Sequence, residues 1–416
     1  MSTNDGVPSR RRPHALVVPL PSRGHLLPLL DFAHRLSTRH GVALTVAVTA
    51  SDLPLLSAFL ASTPLAAALP IHLPDASLHE NSHHALLAVH LSGISAPLLS
   101  WARSRPDDAP TVVVSDFFLG WVQLLADDLR VPLFPGPRLS RATSPAIRTG
   151  SSCGKASCST SRAWGAVVNS FDEIEGEFLE YLNRFFGHGR VWSVGPVADS
   201  GCRGEERSSE AEQLFSWLDT CPSRSVVYVC FGSMYKPPPA QAAALGAALE
   251  ASGARFVWEV GADAAVVPEG LEERTAALGR VVRGWAPQME ILRQAAVGAF
   301  LTHCGWNSTL EGVAAGVPLL AWPMKADQFI DARLVVDLHG AGVRAADGAG
   351  AVPYPGALAR VFADAADAGK LADVRAKTSE LAAAAAAAVE EGGSSWIAME
   401  KMANELETAY LESVDR

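Results

Sequence analysis

The stretch 285–328 concentrates residues that could bind a phosphorylated ligand. An apolar segment typical of a strand leads through a short turn into a polar helix start at 306–308. The first N–H groups of a helix lack partners inside it, and together with the helix dipole they attract anions. His303 at the strand end, with Asn307 and Ser308 on the helix, adds polar groups. The pattern predicts a diphosphate site.

Other residues of this stretch suit the remainder of a nucleotide. Glu311, one turn into the helix, can accept hydrogen bonds from vicinal hydroxyls such as those of ribose. Trp285 offers a flat face on which a base can stack. Asp327 and Gln328 follow the next strand, where they could bind sugar hydroxyls.

Each of these residues alone has a simpler interpretation. Trp285 could be a core residue, and His303 a hydrogen-bonded histidine at a strand end. Asn307 and Ser308 could form an ordinary helix N-cap. Their joint occurrence within one short stretch favours a ligand site.

A second candidate site lies in the first half of the chain. His25 follows the first apolar run, and Asp116 directly follows the later run TVVVS. Active sites of parallel sheets form at the carboxyl ends of strands, where an aspartate can fix the tautomer of a histidine base. Capping of the following helices is the alternative interpretation of both residues. No G-x-G-x-x-G motif opens the first helix, which disfavours a dinucleotide-dependent dehydrogenase.

Short β-branched runs alternate with helical stretches, which predicts an α/β fold with two doubly wound parallel sheets and a site in the cleft between them. A polar stretch near residue 200 separates the two halves. We expect a flexible tail at 1–12, a first domain at 13–200, a second domain at 201–390, and a C-terminal helix at 391–416 that packs on the first domain. The Ser-, Arg- and Gly-rich stretch 136–163 is predicted to be an irregular loop.

Together these motifs resemble the nucleotide-sugar box of plant UDP-glycosyltransferases of glycosyltransferase family 1. The matching residues are Trp285, Pro287, Gln288, His303, Cys304, Gly305, Trp306, Asn307, Ser308, Glu311, Gly316, Pro318, Pro323, Asp327 and Gln328, at the family's spacing. The resemblance covers most of the chain and implies the GT-B fold, in which two Rossmann-like domains face each other across a cleft. It also implies that the domain at 13–200 binds the acceptor and that the domain at 201–390 binds the UDP-sugar donor.

The resemblance also implies a role for each matching residue. Trp285 would stack on uracil, and Gln288 with Glu311 would hold the ribose. The diphosphate would be held by Ser233, His303, Asn307 and Ser308, and the sugar by Trp306, Asp327 and Gln328. Ala286 and Gly305 complete the donor-binding set. A Gln at the end of the box goes with UDP-glucose as the donor.

His25 and Asp116 match the family's catalytic pair. The implied reaction is an inverting transfer of glucose to a hydroxyl of a small lipophilic plant metabolite, such as a phenol or flavonoid, without a metal or other cofactor. The apolar residues Phe117, Phe118, Trp121 and 86–91 are candidate walls of the acceptor pocket, with core packing as their alternative.

This sequence departs from the family in two places. It is shorter near 136–163, where relatives build helices around the acceptor, and Asp331 replaces an Asn common after the box. Two hypotheses therefore stay open: an active glucosyltransferase, or a nucleotide-sugar-binding protein that has lost turnover. The presence of both His25 and Asp116 favours the enzyme.

Composition limits which binding partners and which cellular compartment are expected. The 416 residues carry a net charge of −10, which disfavours nucleic acid as a partner. Six cysteines without a CxxC pair favour a reducing, cytoplasmic setting. No apolar run is long enough to span a membrane, so we expect no transmembrane segment. We also expect the protein to be a monomer.

Overall fold

Strands and helices alternate in both halves of the chain, as the apolar runs predict. The computed structural model describes residues 12–72, 91–135, 163–197, 208–233, 235–261, 267–284, 286–367 and 369–414, with side chains to residue 411. Nearly all of the predicted tail at 1–12 and of the predicted loop at 136–163 lies outside these ranges, as does Trp285.

Thirteen strands occur within the described ranges, and all of their ladder pairings are parallel. They are β1 (His14–Val18), β2 (Ala43–Thr49), β3 (Ala66–Ile71), β4 (Val112–Ser115), β5 (Leu133–Pro135), β6 (Ala166–Val168), β7 (Val191–Ser193), β8 (Val226–Cys230), β9 (Arg255–Glu259), β10 (Gly279–Val282), β11 (Val297–Thr302), β12 (Leu319–Ala321) and β13 (Gly342–Arg344).

The α-helices of the described ranges cover both faces of the sheets. They are α1 (Arg23–His40), α2 (Ser57–Ser62), α3 (Ser95–Arg103), α4 (Val122–Leu129), α5 (Asp172–Phe186), α6 (Ser209–Asp219), α7 (Pro239–Ser252), α8 (Leu271–Arg274), α9 (Gln288–Leu292), α10 (Trp306–Ala314), α11 (Gln328–Arg333), α12 (Pro355–Ala366), α13 (Ala372–Val389) and α14 (Ser394–Val414). A π-helical turn, Leu334–Leu338, continues α11.

The strand order of the two large sheets determines where a ligand can bind. The first sheet has the order β3-β2-β1-β4-β5, and the second has β10-β9-β8-β11-β12-β13. In the first sheet, β2 and β3 are added on one side of β1, and the chain then returns to add β4 and β5 on the other side of β1. The second sheet is built in the same way around β8, with β9 and β10 on one side and the strands from β11 onward on the other. Ligands of doubly wound sheets bind at such switch points, outside the carboxyl ends of the strands. The segments that follow β1, β4, β8 and β11 therefore meet at the candidate site.

The central strands are fully buried because apolar side chains on both faces pack against helices. In β8, the side chains of Val227 and Val229 belong to one core and those of Val226 and Tyr228 to the other. This two-sided burial explains why the central strands appear as continuous β-branched runs in the sequence.

The last helix, α14, packs on the first sheet although it follows the second in sequence. Met399, Met402 and Leu406 are buried in the same core as β1 and β2. The Ser395 hydroxyl donates to the Gly195 carbonyl at 2.6 Å, and Glu405 pairs with Arg190 at 3.5 Å.

Some elements differ from those predicted. The first helix begins at Arg23, so His25 lies inside its first turn and not before the helix, as a capping residue would. The edge strands β3, β5 and β13 were not predicted because they are short or rich in Ala and Pro. Among the described helices, none is both long and apolar enough to span a membrane.

Met402→Ala should lower the free energy of unfolding by about 2–5 kcal/mol, because it removes a side chain that is 1% exposed and leaves a cavity. Ile397→Ala on the same helix is the matched control, since Ile397 is 44% exposed. Denaturant unfolding measures both variants. Equal losses would contradict the packing of α14 described above.

Candidate active site

His25 and Asp116 form a buried pair at the carboxyl edge of the first sheet. The His25 Nδ1 atom lies 2.7 Å from Asp116 Oδ2, and both residues are 4% exposed. Asp116 is held in turn, since its Oδ1 accepts from the Phe118 amide at 2.9 Å and its own amide donates to the Val18 carbonyl at 3.0 Å. The carboxylate is therefore fixed by backbone, and it orients the imidazole.

Two aromatic rings border the imidazole. The Phe117 ring stacks beside His25 at 5.9 Å between centroids, and the Phe118 ring lies at 5.5 Å. Both phenylalanines are half-buried, which leaves part of each ring accessible. Of the other predicted acceptor walls, Trp121 is half-buried, Leu91 is buried in the core, and residues 86–90 lie outside the described ranges.

His303 lies at the corresponding edge of the second sheet, packed between two glycines. A Cβ atom at Gly232 would lie 2.8 Å from His303 Cε1, and one at Gly305 would lie 2.5 Å from His303 Nε2. Gly232 also has φ +72°, which favours glycine. The absence of side chains at both positions lets two backbone segments approach the imidazole.

The turn between β11 and α10 brings the helix start to this edge. Cys304 has φ +59°, and its amide donates to the Thr302 hydroxyl at 3.2 Å. Burial, with a contribution from Asp331, raises the pKa of the Cys304 thiol well above its usual value, so the thiol stays neutral. The exposed N–H groups at the start of α10 then provide the local positive potential.

The two residues predicted to hold ribose are joined to each other. Gln288 Nε2 donates to Glu311 Oε2 at 2.6 Å and lies 3.2 Å from the Ser308 hydroxyl. Glu311 is 6% exposed and Ser308 is 9% exposed. The three side chains therefore form one polar cluster along the first turns of α10.

Gln328 is oriented by the backbone of its own turn. Its Oε1 atom accepts from the amides of Met324 and Lys325, each at 2.9 Å. This leaves the amide nitrogen as the group that can donate to a ligand. Asp327 beside it is half-buried.

The indole of Trp306 does not lie where the prediction puts it, and Asn307 has a partner that was not predicted. The indole of Trp306 is 1% exposed and donates to the Asn169 carbonyl at 2.6 Å, so the ring is not available to a sugar and only its backbone amide can face a ligand. Asn307 Nδ2 donates to the Gly24 carbonyl of α1 at 2.5 Å. Burial and cross-cleft bonding cannot be predicted from motif spacing.

A hydrogen-bonded pair that the sequence analysis missed lies at the carboxyl ends of β8 and β9. The Cys230 thiol donates to Glu259 Oε2 at 2.5 Å and accepts from the Gly232 amide at 3.3 Å. Burial raises the pKa of the Glu259 carboxyl. The pair supports the loop that carries Gly232, and no short motif marks it.

The remaining predicted residues are placed as follows. Ala286 is buried at 5% exposure, and Ser233 is exposed at the end of the loop after β8. Trp285 lies outside the described residues. Within the described ranges, no group of three or more His, Cys, Asp or Glu side chains is arranged to hold a metal ion.

Known proteins resemble this chain over nearly its whole length. Residues 192–350 match the family model of UDP-glucoronosyl and UDP-glucosyl transferases. Flavonol 3-O-glucosyltransferase UGT89B1 of Arabidopsis thaliana is 40% identical over 95% of this chain and 96% of its own length. Flavonol 7-O-rhamnosyltransferase of the same plant is 36% identical over 95% of this chain and 98% of its own length.

A solved structure has the same architecture. The crystal structure of Arabidopsis thaliana UGT89C1 complexed with UDP-L-rhamnose superimposes with a TM-score of 0.87. The two chains are 36% identical, and the match covers 95% of this chain and 100% of that one. The two facing sheets are therefore those of the GT-B fold, and this chain belongs to the plant UDP-glycosyltransferases of family 1.

Proposed function

We propose that this enzyme transfers glucose from UDP-glucose to a hydroxyl of a small aromatic plant metabolite, a flavonoid or another phenolic, and yields a β-glucoside. The observation that carries the proposal is the buried His25–Asp116 pair at 2.7 Å. A protein that only binds nucleotide sugars has no need of an oriented base next to its donor-binding helix.

The tautomer of His25 follows from its partner. A carboxylate only accepts hydrogen bonds, so Nδ1 donates to Asp116 and Nε2 carries the lone pair. Asp116 also stabilises the imidazolium that forms when Nε2 takes a proton. His25 is therefore oriented to act as a general base.

The reaction proceeds in one displacement. Nε2 of His25 removes the proton of the acceptor hydroxyl while its oxygen bonds to the anomeric carbon. The bond from that carbon to the UDP oxygen breaks, and its electron pair leaves with UDP. Attack opposite the leaving group inverts the α-linked donor to a β-glucoside. The proposal assigns no step to a metal or other cofactor.

The donor half of the site is assigned by position. The diphosphate would lie against the N–H groups at the start of α10, with His303, Asn307, Ser308 and Ser233 as further donors. A negative charge at a helix start is stabilised by the unpaired amides and the dipole. The Gln288–Glu311 pair would hold the ribose, and Trp285 with Ala286 the uracil.

Glucose is proposed as the sugar because Asp327 and the Gln328 amide nitrogen can bind its hydroxyls. The Gln328 side chain is fixed through its oxygen, so its nitrogen is presented in one direction. The relatives named above include both a glucosyltransferase and a rhamnosyltransferase. Transfer of galactose or rhamnose as fast as glucose would contradict this assignment.

The acceptor is proposed to be a flavonoid or another phenolic. The Phe117 and Phe118 rings lie beside the base and offer flat apolar faces to an aromatic ring. Two of the relatives are named for flavonols. The alignment with UGT89B1 spans 464 positions against the 416 residues here, so that relative has residues that this chain lacks. We infer an open pocket with broad acceptor tolerance.

We also propose the domain division at 13–200 and 201–390, with 391–416 returning to pack on the first domain. The contacts of α14 with the first core support the return. The few cysteines, none of them in a CxxC pair, support the cytoplasm as the compartment.

The proposed function is tested by incubating the purified protein with UDP-glucose and a mixture of flavonoids, phenolic acids and simple phenols. Mass spectrometry should find the gain of one hexose on at least one acceptor. UDP binding without any transfer would replace the proposal by a nucleotide-sugar-binding protein that has lost turnover.

His25→Ala should lower kcat by about two to four orders of magnitude, because it removes the general base. Affinity for UDP, measured by isothermal titration calorimetry, should change little. His34→Ala is the matched control, since His34 lies on the same helix but bonds to Thr63. Full activity of His25→Ala on weakly acidic phenols would exclude the proposed base.

Glu311→Ala should weaken the binding of UDP more than that of pyrophosphate, because the lost contact is to the ribose. Calorimetric titration of wild type and variant with both ligands measures the difference. Equal weakening of the two ligands would assign Glu311 to the diphosphate or to folding instead.

Gly232→Ala should weaken UDP binding about tenfold or more, because the new Cβ would displace His303 and a non-glycine residue is strained at φ +72°. Gly253→Ala separates these causes, since Gly253 has φ +65° but open space around it. The control should lose stability and keep its UDP affinity. Similar UDP affinity in both variants would argue against His303 as a ligand of the donor.

A further inference from the structure

The helix that carries His25 contains a proline in its second turn. Pro28 lies inside α1, which runs from Arg23 to His40. In a regular helix the amide of residue 28 would donate to the carbonyl of Gly24, but proline has no N–H and its ring pushes that carbonyl away from the helix axis. Gly24 therefore loses its helical donor at the residue directly before His25.

A side chain of α10, in the second half of the chain, supplies the missing hydrogen-bond donor. Asn307, the second residue of α10, donates from Nδ2 to the Gly24 carbonyl at 2.5 Å, between residues 283 positions apart. The start of the proposed donor-binding helix is thus joined to the start of the helix that carries the proposed base.

A second bond supports the same connection. Trp306, which precedes Asn307, donates from its buried indole to the Asn169 carbonyl at 2.6 Å. The Asn169 side chain is itself held, since its Oδ1 accepts from the Val197 amide at 2.9 Å. Two consecutive side chains of α10 therefore reach different segments of the first half of the chain.

We propose that Asn307 is a positioning residue for His25: its amide replaces the helical donor that Pro28 removes and sets the base against the sugar-bearing end of the donor. The proposal rests on the function proposed above, in which His25 acts on an acceptor beside the diphosphate. Such positioning matters because a displacement of about 1 Å can lower a rate about a hundredfold.

Pro28→Ala gives the first test because its expected effects on folding and on catalysis differ. The new N–H of residue 28 can donate to Gly24 and draws the carbonyl back along the helix. We expect kcat to fall about threefold or more, while KM for UDP-glucose stays within about twofold and the melting temperature does not fall. Pro239→Ala is the control, because Pro239 is the first residue of α7 and removes no helical bond.

An unchanged kcat in Pro28→Ala would overturn the proposal. A fall in kcat that comes with a matching loss of UDP affinity or of stability would also overturn it, because the proline would then serve donor binding or folding alone.

A double-mutant cycle gives the second test. Asn307→Asp removes the amide donor and should lower kcat about tenfold or more. If both residues act through the Gly24 carbonyl, introducing Pro28→Ala into the Asn307→Asp variant should lower kcat by less than about a further twofold. Multiplicative effects of the two substitutions would overturn the proposal.

A third measurement separates this proposal from the function on which it rests. Hydrogen exchange of residues 22–27 in the unliganded wild type and in Asn307→Asp needs no substrate. Exchange there should be about threefold or more faster in the variant. If the wild type transfers no sugar but exchange still responds, the proposed function fails and the contact stands. Unchanged exchange would overturn the positioning role whatever the activity.

Discussion

The amino end of α10 has to satisfy two requirements with the same few residues. Its unpaired N–H groups create the positive potential that an anionic donor requires, and they must stay exposed to the cleft. Its side chains at Trp306 and Asn307 meanwhile donate to carbonyls of the first half, at Asn169 and Gly24. Backbone and side chains thus have separate partners, and the two side-chain bonds fix the start of α10 relative to the helix that carries His25.

The parallel sheets explain why distant residues meet there. His25 and Asp116 are separated by 91 residues, yet they follow β1 and β4, which are neighbours at the switch point of the first sheet. His303 and Gly232 follow β11 and β8, neighbours in the second. Because every strand of a parallel sheet ends at the same edge, this arrangement needs no unusual loops.

The same regularity made much of the fold predictable from the sequence. The central strands are buried on both faces, so their β-branched runs are distinctive, and the strands β1, β2, β4, β8 and β11 lie where those runs predict them. Edge strands such as β3 carry less apolar pattern because one side lacks a neighbouring strand, and they were missed. The pairing of His25 with Asp116 was predictable, since both follow strands.

Side-chain orientation was less predictable because packing decides it. The family resemblance assigned Trp306 to the sugar, whereas its indole is buried and donates to the Asn169 carbonyl. Pro28 shows how such a contact could be found. A proline inside a helix destabilises it by roughly 3 kcal/mol relative to alanine. Such a proline is therefore expected mainly where another interaction compensates for the lost stability. Pro28 leaves the Gly24 carbonyl without its helical N–H donor, and Gly24 directly precedes His25. The sequence therefore marks a carbonyl that needs a hydrogen-bond donor from another part of the chain.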